Sequence, residues 1–387
     1  MSECVFIFFR DLRLTDNTTW NYCCSHFKTI FPVFIYDHRE WPSDNQRQFL
    51  DESLNELNKT LQRKLTTLAS FSQLKTFLSK HPVEAIASNI NYEFPDRYNH
   101  LKHIPHTEWI EMDDSLLIPM LNYTRKPYLK FTPFYRYMQN TFRVSKPSLT
   151  NKYPKFLKKL PLRNNTIITY KPNKNVYVHG GYSQAKKVLD VFVKNGLRQY
   201  EKDRNFFGKN TSFLSAYLSL NVISIRQVYY ATKSSEAFIR ELYWREFYIH
   251  VQHFFPERIS KYASKPALSP SQQSKWDKWR NAKTGIDLVD ACMNQLKTTG
   301  YMHNRGRMIV ASYLIKDMKV PFQYGEDFFA THLIDYNKAS NNGGWQWVNG
   351  TGVDAQPRYQ KFNPMIQEKK FDPQRLYITK WSDASKK

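Results

Sequence analysis

The sequence predicts a doubly wound, parallel-sheet α/β domain followed by an all-α domain. Three observations carry the prediction. Short apolar runs rich in Val, Ile and Phe recur near the N-terminus, a long amphipathic stretch separates two of them, and beyond residue 182 apolar residues recur at helical spacing.

Residues 5–9 and 30–36 are apolar runs bounded by charges and turn formers, and residues 84–90 form a third. Runs that do not alternate with polar residues read as strands buried on both faces. Between the second and third, Phe49, Leu50, Leu54, Leu57, Leu61 and Leu65 recur at three- and four-residue intervals, which predicts one long helix lying on the sheet. These elements assign residues 1–130 to the α/β domain. No Gly-x-Gly-x-x-Gly follows the first run, so an ordinary dinucleotide site is not expected there. Residues 131–182 are rich in Lys, Pro, Asn and Tyr without a sustained period and read as a connector. Within 183–387, helices are expected over 185–197, 224–254, 286–296 and 303–318.

A chain of 387 residues is long enough for two cores. No apolar run approaches the roughly 18 residues of a membrane span. The 5–9 run lacks a preceding basic region and is broken at once by Arg10 and Asp11, so it reads as a strand rather than a secretory signal, and the protein is expected to stay inside the cell. Cys4, Cys23, Cys24 and Cys292 show neither CxxC spacing nor a neighbouring histidine pattern, which argues against a disulfide framework and against zinc. Lys and Arg total 57 against 34 acidic residues, a net charge of +23, and aromatics reach 16%. This balance suits a polyanionic partner, with aromatics available to stack on bases or on a planar cofactor. Composition alone leaves open the plainer alternative of a solvated basic surface over an aromatic core.

The densest information lies between Trp279 and Trp347. The run NNGGWQW (residues 341–347) combines Asn, Gly and Trp, a mixture poor for helix propensity and hard to explain by core packing. Glycines there would admit a close approach to the backbone, with asparagine able to bond the edge of a heteroaromatic ring.

At this point the sequence resembles the photolyase/cryptochrome family. The resemblance is carried by FFRDLRLTDNTTW near the N-terminus and, in family order, by TSFLSAYLSLNVIS, ELYWREFY, KTGIDLVDACMNQLKTTGYMHNRGRM, GEDFFATHLIDYNKASNNGGWQW and FNPMIQEKKFDP. It implies an N-terminal α/β antenna domain, a connector and a helical domain holding FAD; an antenna chromophore of folate or deazaflavin type is possible. By the same resemblance Tyr200, Thr211, Ser212, Phe213, Leu214, Ser215 and Phe238 fall at FAD contacts, where a helix start rich in hydroxyls would suit phosphate. Asp335 matches a flavin-contacting aspartate, Arg307 its ion-pair partner, Asn341 the residue beside flavin N5, and Tyr336 and Asn337 adjoin them. Taken singly these admit duller explanations: a helix cap for 211–215, a structural ion pair for Asp335 and Arg307.

Relatives that repair cyclobutane pyrimidine dimers surround the flipped lesion with side chains matched here by Glu241, Trp244, Trp347, Asn304, Arg305 and Met308, and Asn304 and Met308 share one helix face. Arg204, Arg245 and Gln367 are expected on DNA. The activity implied is light-driven splitting of pyrimidine dimers by electron transfer from reduced FAD, with Glu241, Asn341 and Trp345 in the chemistry and a monomer as the working unit. Asn304 stands where photolyases of (6-4) photoproducts carry histidine, and Met308 where DASH-type relatives typically carry glutamine. Plant-type cryptochromes have aspartate where Asn341 stands. Signalling cryptochromes often add long C-terminal tails, and none is expected after Lys387. A flavin photoreceptor without repair activity is the alternative reading; a basic nucleic-acid binder without cofactor would leave NNGGWQW unexplained.

Several positions depart from the family. Asn337 replaces a usual aspartate, Phe213 and Gln360 stand where arginine is common, Phe238 where tryptophan is common, and Glu93 falls near a folate contact. Many relatives feed electrons to the flavin through three tryptophans. Trp345 matches the innermost, but Phe322 takes the middle place and Ser269 the outer, so slow photoreduction is expected unless Tyr324 or Trp276 offers a detour.

Overall fold

A computed structural model describes residues 2–162, 166–209, 211–260, 264–355 and 361–382. The N-terminal part is a parallel sheet in the order β3-β2-β1-β4-β5, formed by β1 (Glu3–Phe8), β2 (Thr29–Ile35), β3 (Thr66–Leu68), β4 (Ala85–Asn89) and β5 (Glu108–Met112). Val5 lies opposite Phe31 on one side and Ile86 on the other, and every residue of β2 and β4 is buried. Three strands fall on the predicted runs. The short β3 and β5 were not legible as apolar runs.

Pro32 inside β2 has no N–H to give. The partner on that side is split around it: Thr29 and Ile30 pair with a two-residue strand, β6 (Phe156–Leu157), and Val33 to Ile35 with β3. The expected helix is found at Asp44–Thr60, started by a reciprocal Ser43–Gln46 capping box. It stops short of Leu65, because Gln62 and Arg63 turn the chain at positive φ into β3.

The connector is more ordered than its composition suggested, since Phe131–Thr141 is a helix that buries Phe131, Phe134, Tyr135 and Met138. The expected 224–254 helix is two, Ile225–Thr232 and Glu236–Phe254, each restarted by a serine cap. That over 303–318 becomes Asn304–Ser312 followed by a wider π turn, Tyr313–Asp317. NNGGWQW is helical after all, within Lys338–Asn349. Packing overrides propensity there: a Cβ on Gly343 would lie 2.1 Å from the Tyr248 ring, so glycine is what lets this helix meet Glu236–Phe254.

One buried core runs without interruption from the sheet into the helices up to Val251. A polar weld accompanies it. Arg226 bonds Asp16 (2.9 Å) and Asp114 (2.8 Å), Asp114 also takes Arg13, and the Asn221 amide donates to the Arg10 carbonyl at 2.8 Å. Among the described residues no helix is long and apolar enough to cross a membrane, and no group of histidines, cysteines and carboxylates is arranged for a metal.

Candidate active site

Two adjoining compartments of about 440 and 540 Å³ open between the C-terminal helices. These are sizes typical of ligand and cofactor sites. They share Ser215, Glu241, Arg245, Asn304, Arg307, Met308, Asp335, Asn337 and Ser340 as walls, so they are two ends of one cavity.

The first end is lined by Tyr200, Thr211, Ser212, Phe213, Leu214 and Phe238, with Arg204 and Arg305. Phe213 holds φ at 54°, turning the chain into the helix Ser215–Ser219. That helix has only five residues. The expected dipole-based anion site is therefore weak, and what the segment contributes is hydroxyl groups.

At the centre, Asp335 is 6% exposed. Its Oδ2 accepts from the Ser215 hydroxyl (2.6 Å) and Arg307 Nη2 (2.7 Å), while Oδ1 is buried with no partner in the protein. Such an acceptor is costly to leave unmet, and it borders both ends of the cavity. Arg307 is fixed in turn by the Met302 carbonyl at 2.9 Å.

The second end is lined by Trp244, Tyr336, Asn341, Gly344, Trp345 and Trp347. Asn341 is oriented by donating to the Glu326 carbonyl oxygen (3.1 Å), and the same glutamate's carboxylate takes the Asn342 amide (2.8 Å). A Cβ on Gly344 would meet nothing within 4 Å, so this glycine leaves open space where Gly343 fills it. Trp244 stacks face to face on Phe131, centroids 3.7 Å apart, which fixes its ring at the wall.

Glu241 borders both ends and forms an ion pair with Arg204. It is 39% exposed, yet the cavity walls shed enough water that burial pushes its carboxyl up against the pull of Arg204. Asn304, Arg305, Arg307 and Met308 all belong to the helix Asn304–Ser312, capped by His303, whose Nδ1 accepts the Arg305 N–H at 3.1 Å. Burial and the neighbouring Arg307 and Arg305 hold the His303 imidazole down to about 4, which keeps that acceptor lone pair free.

Residues 4–154 match the family model described as DNA photolyase, and residues 238–387 match the FAD binding domain of DNA photolyase. Deoxyribodipyrimidine photo-lyase of Escherichia coli (strain K12) is 30% identical over 416 residues, spanning 97% of this chain and 87% of that protein. The chain belongs to the photolyase/cryptochrome family. An archaeal photolyase from Sulfolobus tokodaii, solved with two FAD molecules, has a TM-score of 0.85 at 30% identity, with 98% of this chain and 90% of that chain covered. A bacterial class III photolyase from Agrobacterium tumefaciens gives 0.87 at 29%, covering 98% and 86%.

As a member of the photolyase/cryptochrome family the chain takes FAD as cofactor. The cavity fits that group: a buried unmet acceptor at Asp335, open space at Gly344, hydroxyls at Thr211, Ser212 and Ser215, and aromatic walls. Three further residues named from the sequence are placed as follows. Arg245 does not stand outside with Arg204: its guanidinium donates inward to the carbonyls of Ser115 (2.9 Å) and Leu218 (3.5 Å). Gln367, on the helix Pro364–Phe371, borders neither compartment and has its Oε1 buried. Glu93 is committed to Asn337 and the Lys338 N–H, so its carboxylate is taken by the protein itself rather than standing free for a folate. Gln360 lies outside the described residues.

Sequence reasoning missed Asn205, which holds Arg305 at 2.6 Å, and Tyr248 and Asp354, which complete the wall. Asn205 adjoins Arg204 and was within reach. Asp354, brought in from far along the chain to take the Phe131 N–H (3.2 Å), carried no local signal.

Proposed function

We propose that this photolyase-family chain is a deoxyribodipyrimidine photolyase that splits cyclobutane pyrimidine dimers in DNA. One observation carries the reading: Glu241, Trp244, Asn304, Met308 and Trp347 line the same compartment as Asn341 and Asp335. The side chains suited to an extruded base pair and those suited to the flavin thus face one space, as a reaction between the two requires.

Reduced FAD, when bound, supplies the light-excited electron that opens the cyclobutane ring and takes it back afterwards. The chain does the rest. Arg204 and Arg305 draw the phosphate backbone to the mouth, within a net charge of +23. Trp244, locked on Phe131, and Trp347 offer flat apolar walls to unstacked bases. Glu241, with its carboxyl pushed up, can accept from a base N–H or, when protonated, donate to a base carbonyl. Closing these walls over a lesion excludes water from the transfer. A photoreceptor without repair activity leaves this set of side chains without a task.

The test uses FAD-loaded, chemically reduced protein, blue light and a UV-irradiated thymine oligonucleotide, read as restored thymine absorbance. Wild type is expected to restore it, with Glu241→Ala and Trp244→Ala slower at matched flavin content. Wild type that leaves dimers intact while retaining FAD would refute repair and favour the photoreceptor reading.

A further inference from the structure

Trp345 borders the second compartment and is 3% exposed. Its indole is clamped in place, because a Cβ on Gly325 would come within 2.1 Å of it. The next oxidisable ring outward is neither Phe322 nor Ser269. It is Trp279, fully buried, centroid 6.3 Å from Trp345 in an edge-to-face contact, with its Nε1–H donating to the Val310 carbonyl at 3.0 Å. Trp279 in turn stacks on Trp276, centroids 5.5 Å apart and planes 22° from parallel. Trp276 is 9% exposed and lies on the helix Pro270–Arg280, whose outer residues Gln273, Asp277 and Lys278 line an open surface depression.

We infer that Trp345, Trp279 and Trp276 form a continuous electron route from the cavity to the surface, replacing the interrupted one expected from the sequence. The inference rests on the FAD reading of the cavity. Three indoles in successive contact offer comparable oxidation sites at every step, whereas a phenylalanine between them would be a barrier. Phe329 also touches Trp345, at 5.0 Å, and is excluded as a step for that reason. Tyr324 lies 5.5 Å from Trp276 but is a poor terminus. Losing an electron requires its hydroxyl to shed a proton to solvent, a coupled step that the indoles do not need, and Lys265 stands 5.6 Å from the ring.

The balance is one electron per photon. Trp345 gives an electron to the light-excited oxidised flavin, Trp279 refills Trp345, Trp276 refills Trp279, and an external thiolate refills Trp276. The thiolate becomes a thiyl radical, and two such radicals couple to a disulfide.

The experiment follows flavin bleaching under blue light with excess thiol in FAD-loaded wild type, Trp279→Phe, Trp276→Phe and Phe322→Trp. Transient absorption or electron paramagnetic resonance reads the tryptophan radical in parallel. Both Phe variants are expected to bleach at least tenfold more slowly, and Trp276→Phe to shorten the radical's lifetime. Trp276→Phe, at the rim, guards against a folding defect at buried Trp279. Phe322→Trp is expected to change the wild-type rate little. Wild-type bleaching in both Phe variants, or a steep gain in Phe322→Trp, would overturn the route. Dimer cleavage by dithionite-reduced enzyme is expected to survive Trp276→Phe, so failure of cleavage in reduced wild type would count against the repair reading and not against the route.

Discussion

Glu93 reaches from the N-terminal half to accept the side-chain amide of Asn337, and its second oxygen takes the Lys338 N–H at 2.5 Å. Both residues are 8% exposed. Asn337 meanwhile caps its helix by accepting the Ser340 N–H at 2.9 Å. The departure from the family's aspartate is thereby accounted for: a carboxylate at 337 would face the carboxylate of Glu93. Asn337→Asp is expected to keep the cap yet cost about 1–3 kcal/mol through like-charge repulsion at a buried site. Thermal melts check this, and Glu93→Gln in the same background is expected to restore most of the loss. Additive losses in the double variant would contradict the pairing.

The two adjacent glycines of NNGGWQW separate packing from binding. Gly343→Ala is expected to lower stability by about 1–3 kcal/mol, because its Cβ enters the Tyr248 ring. Gly344→Ala is expected to gain up to about 1 kcal/mol of helix propensity while weakening FAD binding, since its Cβ projects into the cavity. Denaturation of flavin-free protein and FAD titration measure the two effects. Equal losses of stability would show that the open space at Gly344 is not a cofactor site.

His303 makes the lesion-side helix sensitive to acid. Its folded pKa of about 4 lies below the ordinary histidine value, so the folded state binds fewer protons than the unfolded chain between about 4 and 6.5. Stability from this group is complete above about 6.5 and is lost as pH falls toward 4, by an amount on the order of 2–3 kcal/mol. His303→Asn retains a capping oxygen without the titration. Between pH 7 and 5 the variant is expected to lose less melting temperature than wild type, and parallel curves would remove His303 as the cause.

Binding to damaged DNA is expected to fall about tenfold or more between 50 and 200 mM salt, as several Lys and Arg displace counterions. Arg204→Ala and Arg305→Ala are expected to flatten this slope, whereas Arg245→Ala, whose guanidinium is tied to internal carbonyls, is expected to affect stability instead. Fluorescence anisotropy at matched FAD content discriminates the two behaviours.

Much of the fold was legible where one element dictates its own residues. Residues 5–9, 30–36 and 84–90 had to be strands because nothing else buries such runs from both sides, and Asn304 with Met308 had to share a face. What could not be read depended on partners distant in sequence. The helicity of NNGGWQW is decided by Tyr248, the inward turn of Arg245 by Ser115, and the ring path from Trp345 by a tryptophan 66 positions earlier, Trp279. The connector's helix was hidden because Thr132, Pro133, Arg136 and Asn140 on its outer face mask Phe131, Phe134, Tyr135 and Met138 beneath.

The weld of Asp16, Asp114, Arg13 and Arg226 bears on how the protein is made. As the nascent chain leaves the ribosome, its sheet strands come out first, carrying two carboxylates with Arg13 as their arginine partner and only Thr18 and the Ser148 N–H beside it. Ser224, whose hydroxyl also bonds Asp16, and Arg226 arrive much later. Until they do, Asp16 lacks its arginine, and the N-terminal segment closes on its own core less firmly than in the finished chain. The strands synthesised first are thus among the last to be finished, and a fragment ending near residue 160 is expected to expose Phe6, Phe8 and Phe34 and to depend on chaperones, where a chain extended past residue 254 would not.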